Sequence, residues 1–65
     1  MTEGRVIRAD QVRQYMRMVM IPGVITVTVM AVRQSSAENT EIVIKTDNGG
    51  AGFFDVPHDT EITVL

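Results

Sequence analysis

Apolar and polar positions alternate with a period of two over most of this chain, the spacing of half-buried strands. Arg5 to Arg8 (RVIR) reads as a short strand. Val24 to Val32 reads as the longest one, with Thr26 and Thr28 on one side and Ile25, Val27, Val29 and Ala31 on the other. A polar loop, Gln34 to Asn39, leads into Thr40 to Thr46, with Ile42 and Ile44 inward and Glu41, Val43 and Lys45 outward. Asp47 to Gly52 (DNGGAG) is the strongest turn signal, with Asn-Gly at its centre. Phe53 to Val56 follows as the return strand, with Phe54 and Val56 inward. After the turn Pro57-His58-Asp59, Thr60 to Leu65 closes the chain with Ile62 and Val64 inward.

One stretch, Gln11 to Val27, admits two readings. As a helix, Val12, Tyr15, Met16, Val19 and Met20 form a complete apolar stripe, Arg13, Gln14 and Arg17 face solvent, and Pro22-Gly23 is the stop. As strands, a single helical turn near residues 10–13, capped by Asp10, precedes an extended Tyr15 to Ile21. Met16, Met18 and Met20 then share one face, Arg17, Val19 and Ile21 share the other, and Pro22-Gly23 is a hairpin turn. Periodicity does not separate the two. Composition favours strands: ten valines, six isoleucines and seven threonines stand against one leucine, and β-branched side chains suit a pleated surface.

The expected architecture is therefore mainly β: one domain over residues 1–65, a small five-stranded barrel with one short helical turn. The alternative is α+β, a helix at 11–20 packed on a four-stranded antiparallel sheet. A chain of 65 residues buries only about 60% of the surface its unfolded form exposes, which leaves modest stability unless it self-associates. It has no cysteine and one histidine, so neither a disulfide nor a zinc site is expected. The apolar run Met18 to Val32 is too short and too interrupted to span a bilayer as a helix. A soluble, cytoplasmic protein is the expectation.

Several segments carry a resemblance. "IRADQV" near the start, "MIPG" leading into "TVT…AVR", and the closing "DVPHDTEITVL" resemble a group of short actinobacteriophage and actinobacterial proteins. Their pattern runs "ADQVRVGDRV…PG…TVTAVR", then a hairpin, then "D…DTEVTVL". Arg8 to Val12, Pro22, Gly23, Val27, Val32, Arg33 and Asp59 to Glu61 carry the match. The resemblance implies a Src-homology-3-like or Hint-like small β-barrel, located in the host cytoplasm if phage-encoded. Where the pattern has Gly-Asp after the first turn, this chain has Gln14, Tyr15 and Met16, and the missing glycine keeps the helix alternative open.

Candidate chemistry changes this picture little. His58 with Asp55, Asp59 and Glu61 resembles an acid–base or metal cluster, but Asp and His are common in proline turns for conformational reasons. DNGGAG lacks the lysine, serine and following helix of a phosphate loop. No catalytic residue, cofactor or metal ligand is assigned, and an enzyme is not expected. The strand reading does leave Val19, Ile21, Val43 and Phe53 facing outward. On so small a domain, such an apolar surface predicts self-association or docking on a host protein. Charge supplies the alternative. Residues 1–33 carry +3 and residues 34–65 carry −5, within the net −2. Arg5, Arg8, Arg13 and Arg17 with Tyr15 would then form a nucleic-acid surface. Interleaving of the two halves in space would cancel that asymmetry.

Overall fold

The computed structural model describes residues 4–21 and 25–65, apart from the side chain of Ile21. The chain is mainly β. It contains β1 (Arg5–Arg8), a single turn of 3-10 helix (Ala9–Gln11), β2 (Arg17–Ile21), β3 (Ile25–Gln34), β4 (Asn39–Thr46), β5 (Ala51–Pro57) and β6 (Glu61–Val64). The strands form one antiparallel sheet in the order β1-β6-β2-β3-β4-β5. Two expectations are corrected here. Among the described residues there are six strands rather than five, and the sheet is open, because β1 and β5 end it without pairing to each other.

The helix expected as the alternative at 11–20 does not form. Helical turns stop at Gln11, one residue past Asp10, and Arg8 occupies the cap with its backbone N–H donating to Gln11 Oε1 at 3.1 Å. The chain then turns sharply. Met16 N–H donates to Arg13 C=O at 3.2 Å, and Tyr15 takes φ of 71°. Left-handed backbone cannot continue a right-handed helix. Tyr15 N–H bonds Val29 C=O at 2.7 Å and Val29 N–H bonds Met16 C=O at 2.8 Å, which draws the segment into the sheet. Met18 then lies between Val27 of β3 and Val64 of β6.

The core follows the alternation. Ala9, Val12, Met18, Val27, Val29, Ile42, Ile44 and Val64 are buried, with Ile7, Met16, Val32, Phe54, Val56 and Ile62 packed around them. Each fully buried aliphatic side chain contributes about 1.5–3 kcal/mol. Two bulges break the alternation. The β3–β4 register shifts between Val29 and Ala31, leaving Met30 as the extra residue. The inward face of β3 therefore passes from odd to even positions. Ala31, expected inward, is exposed, and Val32 packs on the core in its place. A second shift between Val19 and Ile21 removes Met20 from the pairing, and Met20 is 37% exposed rather than inward beside Met18. One extra residue re-aims every side chain beyond it, because the pleat repeats every two residues.

The hairpin between β4 and β5 is a three-residue loop. Gly49 N–H donates to Thr46 C=O at 3.1 Å and Thr46 N–H donates to Gly50 C=O at 2.8 Å. Gly49, with φ of 93°, supplies the left-handed position. Asp47 and Asn48 hold the centre of the turn, and Gly49 makes the bulge that follows it. Pro22-Gly23, expected to turn β2 into β3, lies outside the described residues.

Candidate functional site

The outward face of β2 to β5 is built in rows, since residues opposite each other in an antiparallel ladder share a face. Arg17, Thr28, Lys45 and Ala51 form one row. Ala31, Val43 and Phe53 form the next, and Arg33, Glu41 and Asp55 the third. The middle row is apolar. Phe53 is 66% exposed on the last strand of the sheet, directly opposite Val43. With Arg33, Glu41, Ala51 and Gly52 these two residues line an open depression of about 520 Å³.

Charged groups border this row. Arg33 Nε lies 2.7 Å from Glu41 Oε1. That hydrogen bond, and the carboxylate charge behind it, raise the Arg33 pKa above its ordinary value. Ser35 Oγ donates to Asp55 Oδ1 at 2.9 Å. The expected interface residues do not all meet. Val43 and Phe53 are cross-strand neighbours. Val19 pairs with Thr26, and the polar row through Arg17, Thr28 and Lys45 separates it from them. The side chain of Ile21 lies outside the described residues.

The arginines expected to bind nucleic acid are dispersed. Arg5 and Arg8 leave β1 on opposite faces: Arg5 is opposite buried Val64, and Arg8 is opposite Glu61. Arg8 also pairs with Asp10 at 3.1 Å. Arg13 directs Nη1 to the backbone carbonyls of Asp10 and Val12, both at 3.2 Å. Arg17 places Nη1 and Nη2 on the two Asp47 carboxylate oxygens at 3.2 and 3.3 Å, and Nη1 also reaches Thr28 Oγ1. The pairs Arg17–Asp47 and Arg33–Glu41 each join the basic half of the sequence to the acidic half, so the halves do interleave. Tyr15 is 69% exposed, with no second aromatic beside it in the sequence.

His58 acts as a structural link. Its backbone N–H donates to Glu38 C=O at 2.9 Å, and its ring Nε2 lies 3.1 Å from Ala37 C=O. A carbonyl only accepts, so Nε2 carries the hydrogen and Nδ1 accepts from the buried Thr40 hydroxyl at 2.6 Å. Both ring nitrogens are thus occupied, which ties the β5–β6 turn to β4. Among the described residues no group of three or more His, Cys, Asp or Glu side chains is placed to hold a metal ion. A second open cleft, about 590 Å³, is lined by Asp10, Arg13, Gln14, Gln34, Thr40 and His58 among others. Of its lining side chains, Asp10 pairs with Arg8, Arg13 reaches the carbonyls of Asp10 and Val12, and Thr40 bonds His58. In the DNGG turn the Gly49 and Gly50 N–H groups bond Thr46 C=O and Asn48 Oδ1, and Asp47 pairs with Arg17. No helix among the described residues is long and apolar enough to cross a membrane.

Sequence reasoning singled out Phe53 and Val43 but missed the exposure of Ala31, which depends on the bulge at Met30. It also missed the strained backbone of Tyr15, for which the only signal was the tyrosine standing near the glycine of the resembled pattern. No protein-family model, no curated protein and no solved structure matches the chain, so the functional reading rests on this face and its physical chemistry.

Proposed function

We propose that this chain is a non-enzymatic protein-interaction module, a phage-encoded accessory protein that self-associates or docks on a host protein through the outward face around Phe53. The carrying observation is the exposed Phe53 ring on an end strand, opposite Val43 and beside Ala31. Aromatic residues in a shallow apolar depression with a charged rim have the make-up of interface anchors. The relation to the actinobacterial small-barrel group belongs to the same proposal. Aligned on Ala9 to Val12, the glycine of that pattern falls on Tyr15, and a positive φ at Tyr15 supports the alignment. The nucleic-acid reading has less behind it, since Arg8 and Arg17 are paired with carboxylates.

The test compares the wild-type chain with Phe53→Asp, using sedimentation for self-association and nuclease-treated pull-downs from an actinobacterial lysate for docking. Association lost in Phe53→Asp, with circular dichroism unchanged, supports the reading. The absence of both self-association and Phe53-dependent capture would sink it. Co-purified nucleic acid whose binding weakens steeply with salt would favour the arginine surface instead.

A further inference from the structure

We infer that the partner of this face is a second copy of the chain, joined by antiparallel pairing of β5 with β5 about a two-fold axis at Phe53. This rests on the reading of the Phe53 face as an interface. It comes from the direction of the backbone groups along β5.

The β4–β5 register runs without a break from Lys45↔Ala51 to Asn39↔Pro57. At its two ends, Thr46 N–H bonds Gly50 C=O and His58 N–H bonds Glu38 C=O. These are hydrogen-bonded pairs of the same ladder, and such pairs alternate with non-bonded ones. Both ends therefore assign the same alternation. Gly52, Phe54 and Val56 point their backbone groups toward β4, while Ala51, Phe53 and Asp55 point theirs away from the sheet. Among the described residues no strand takes up that outer edge. Pro57, which has no N–H, falls at an outward-pointing position, where proline is tolerated on an edge. The stretch from Ala51 to Asp55 is thus a complete pairing edge with a proline stop at one end. β1, the other edge, is one short strand carrying Arg5 and Arg8, the make-up of a guarded edge.

Placing the two-fold axis at Phe53 satisfies three requirements together. Phe53 pairs with Phe53 of the second copy, and Ala51 with its Asp55, so every outward N–H and C=O of this stretch is used. On the outward face the two apolar rows join into one band, with the phenylalanine rings meeting at the axis and a Val43 flanking each. On the inward face Phe54 falls opposite Gly52 of the second copy. There an aromatic ring covers a glycine, a pairing that stabilises edge glycines.

Charge complements this register. Lys45 stands opposite Ala51, whose methyl leaves it free to reach across to Asp55 of the second copy. A register centred on Phe54 would instead set Phe53 against that carboxylate, and Ala51 against Pro57, which has no N–H to give.

The test is sedimentation equilibrium of the full chain over micromolar to millimolar concentrations. The wild type should rise from one chain toward two. Ala51→Pro removes only an outward-pointing N–H, so it should keep the circular dichroism spectrum and remain a monomer. Lys45→Glu should weaken the dimer roughly fivefold, since it reverses two exposed ion pairs. Adding Asp55→Lys to Lys45→Glu should restore it. A wild type that stays a single chain at millimolar concentration overturns the inference, as does a charge swap that fails to restore. A dimer that ignores Ala51→Pro but is lost in Phe53→Asp also overturns strand pairing, while leaving the Phe53 face as the interface.

Discussion

Among the described residues two turns take a positive φ, at Tyr15 and Gly49, and only one of them has the residue that suits it. At Gly49 the left-handed position is held by glycine, and nothing lies within 4 Å of where a Cβ would stand. That turn is set locally: Asp47, Asn48 and Gly49 prefer this loop whatever surrounds them. At Tyr15 the same region of backbone space is held by an aromatic residue, which costs about 1 kcal/mol. That turn is imposed from outside. Tyr15 and Met16 bond Val29 across the sheet, Arg13 grips the carbonyls of Asp10 and Val12, and Val12 is fully buried just before it. A strained, exposed aromatic persists because the sheet over-determines the backbone on either side of it.

The largest effect should come from putting the wrong residue into the well-suited turn. Nothing lies within 4 Å of a Cβ at Gly49, so the cost of Gly49→Val is mainly conformational, about 1–2 kcal/mol for a β-branched side chain in left-handed backbone. Urea unfolding should show a lower midpoint with an unchanged slope.

The reverse change sharpens the contrast. Tyr15→Gly should stabilise the chain by less than about 1 kcal/mol, the relieved strain being partly offset by the greater freedom of glycine in the unfolded chain. A clear loss of stability in that variant would mean that the tyrosine ring contributes packing that outweighs its backbone strain. Tyr15→Asn should give a smaller gain, about 0.5 kcal/mol, because asparagine tolerates the left-handed region better than tyrosine does.

The smallest effect concerns the contact that ties the two turns together. Arg17 begins β2 just after Tyr15, and its partner Asp47 sits in the Gly49 turn. Both side chains are largely exposed, so Arg17→Met should cost no more than about 0.5 kcal/mol at low salt. That difference should vanish when unfolding is repeated in molar salt, where exposed charges are screened.

The same division between local and imposed structure explains what could be read in advance. Ile42 and Ile44, Phe54 and Val56, and Ile62 and Val64 were legible as inward pairs, because each lies in a strand without a bulge. Val43 and Phe53 were legible as outward for the same reason. Ala31 and Met20 were not: Ala31 follows the bulge at Met30, which has no glycine or proline beside it to announce it, and Met20 is itself the residue that drops out of the pairing. The choice between helix and strand at 11–20 was not legible either. A methionine-rich segment satisfies both periods, and the hydrogen bonds that decide it reach to Val29. Nor was the dispersal of the arginines, since Asp47 lies thirty positions from Arg17.

By itself, then, the sequence determined the β class, the β4–β5 hairpin and the inward residues of the unbulged strands, because alternation and turn chemistry act over a few neighbouring residues. Tertiary structure alone decided that β6 lies between β1 and β2, that the sheet stays open, that Tyr15 is bent into a glycine's conformation, and that among the described residues no strand pairs with the outer edge of β5. Those outcomes depend on which distant backbone groups find one another, and pairing between distant strands leaves no local mark on the chain.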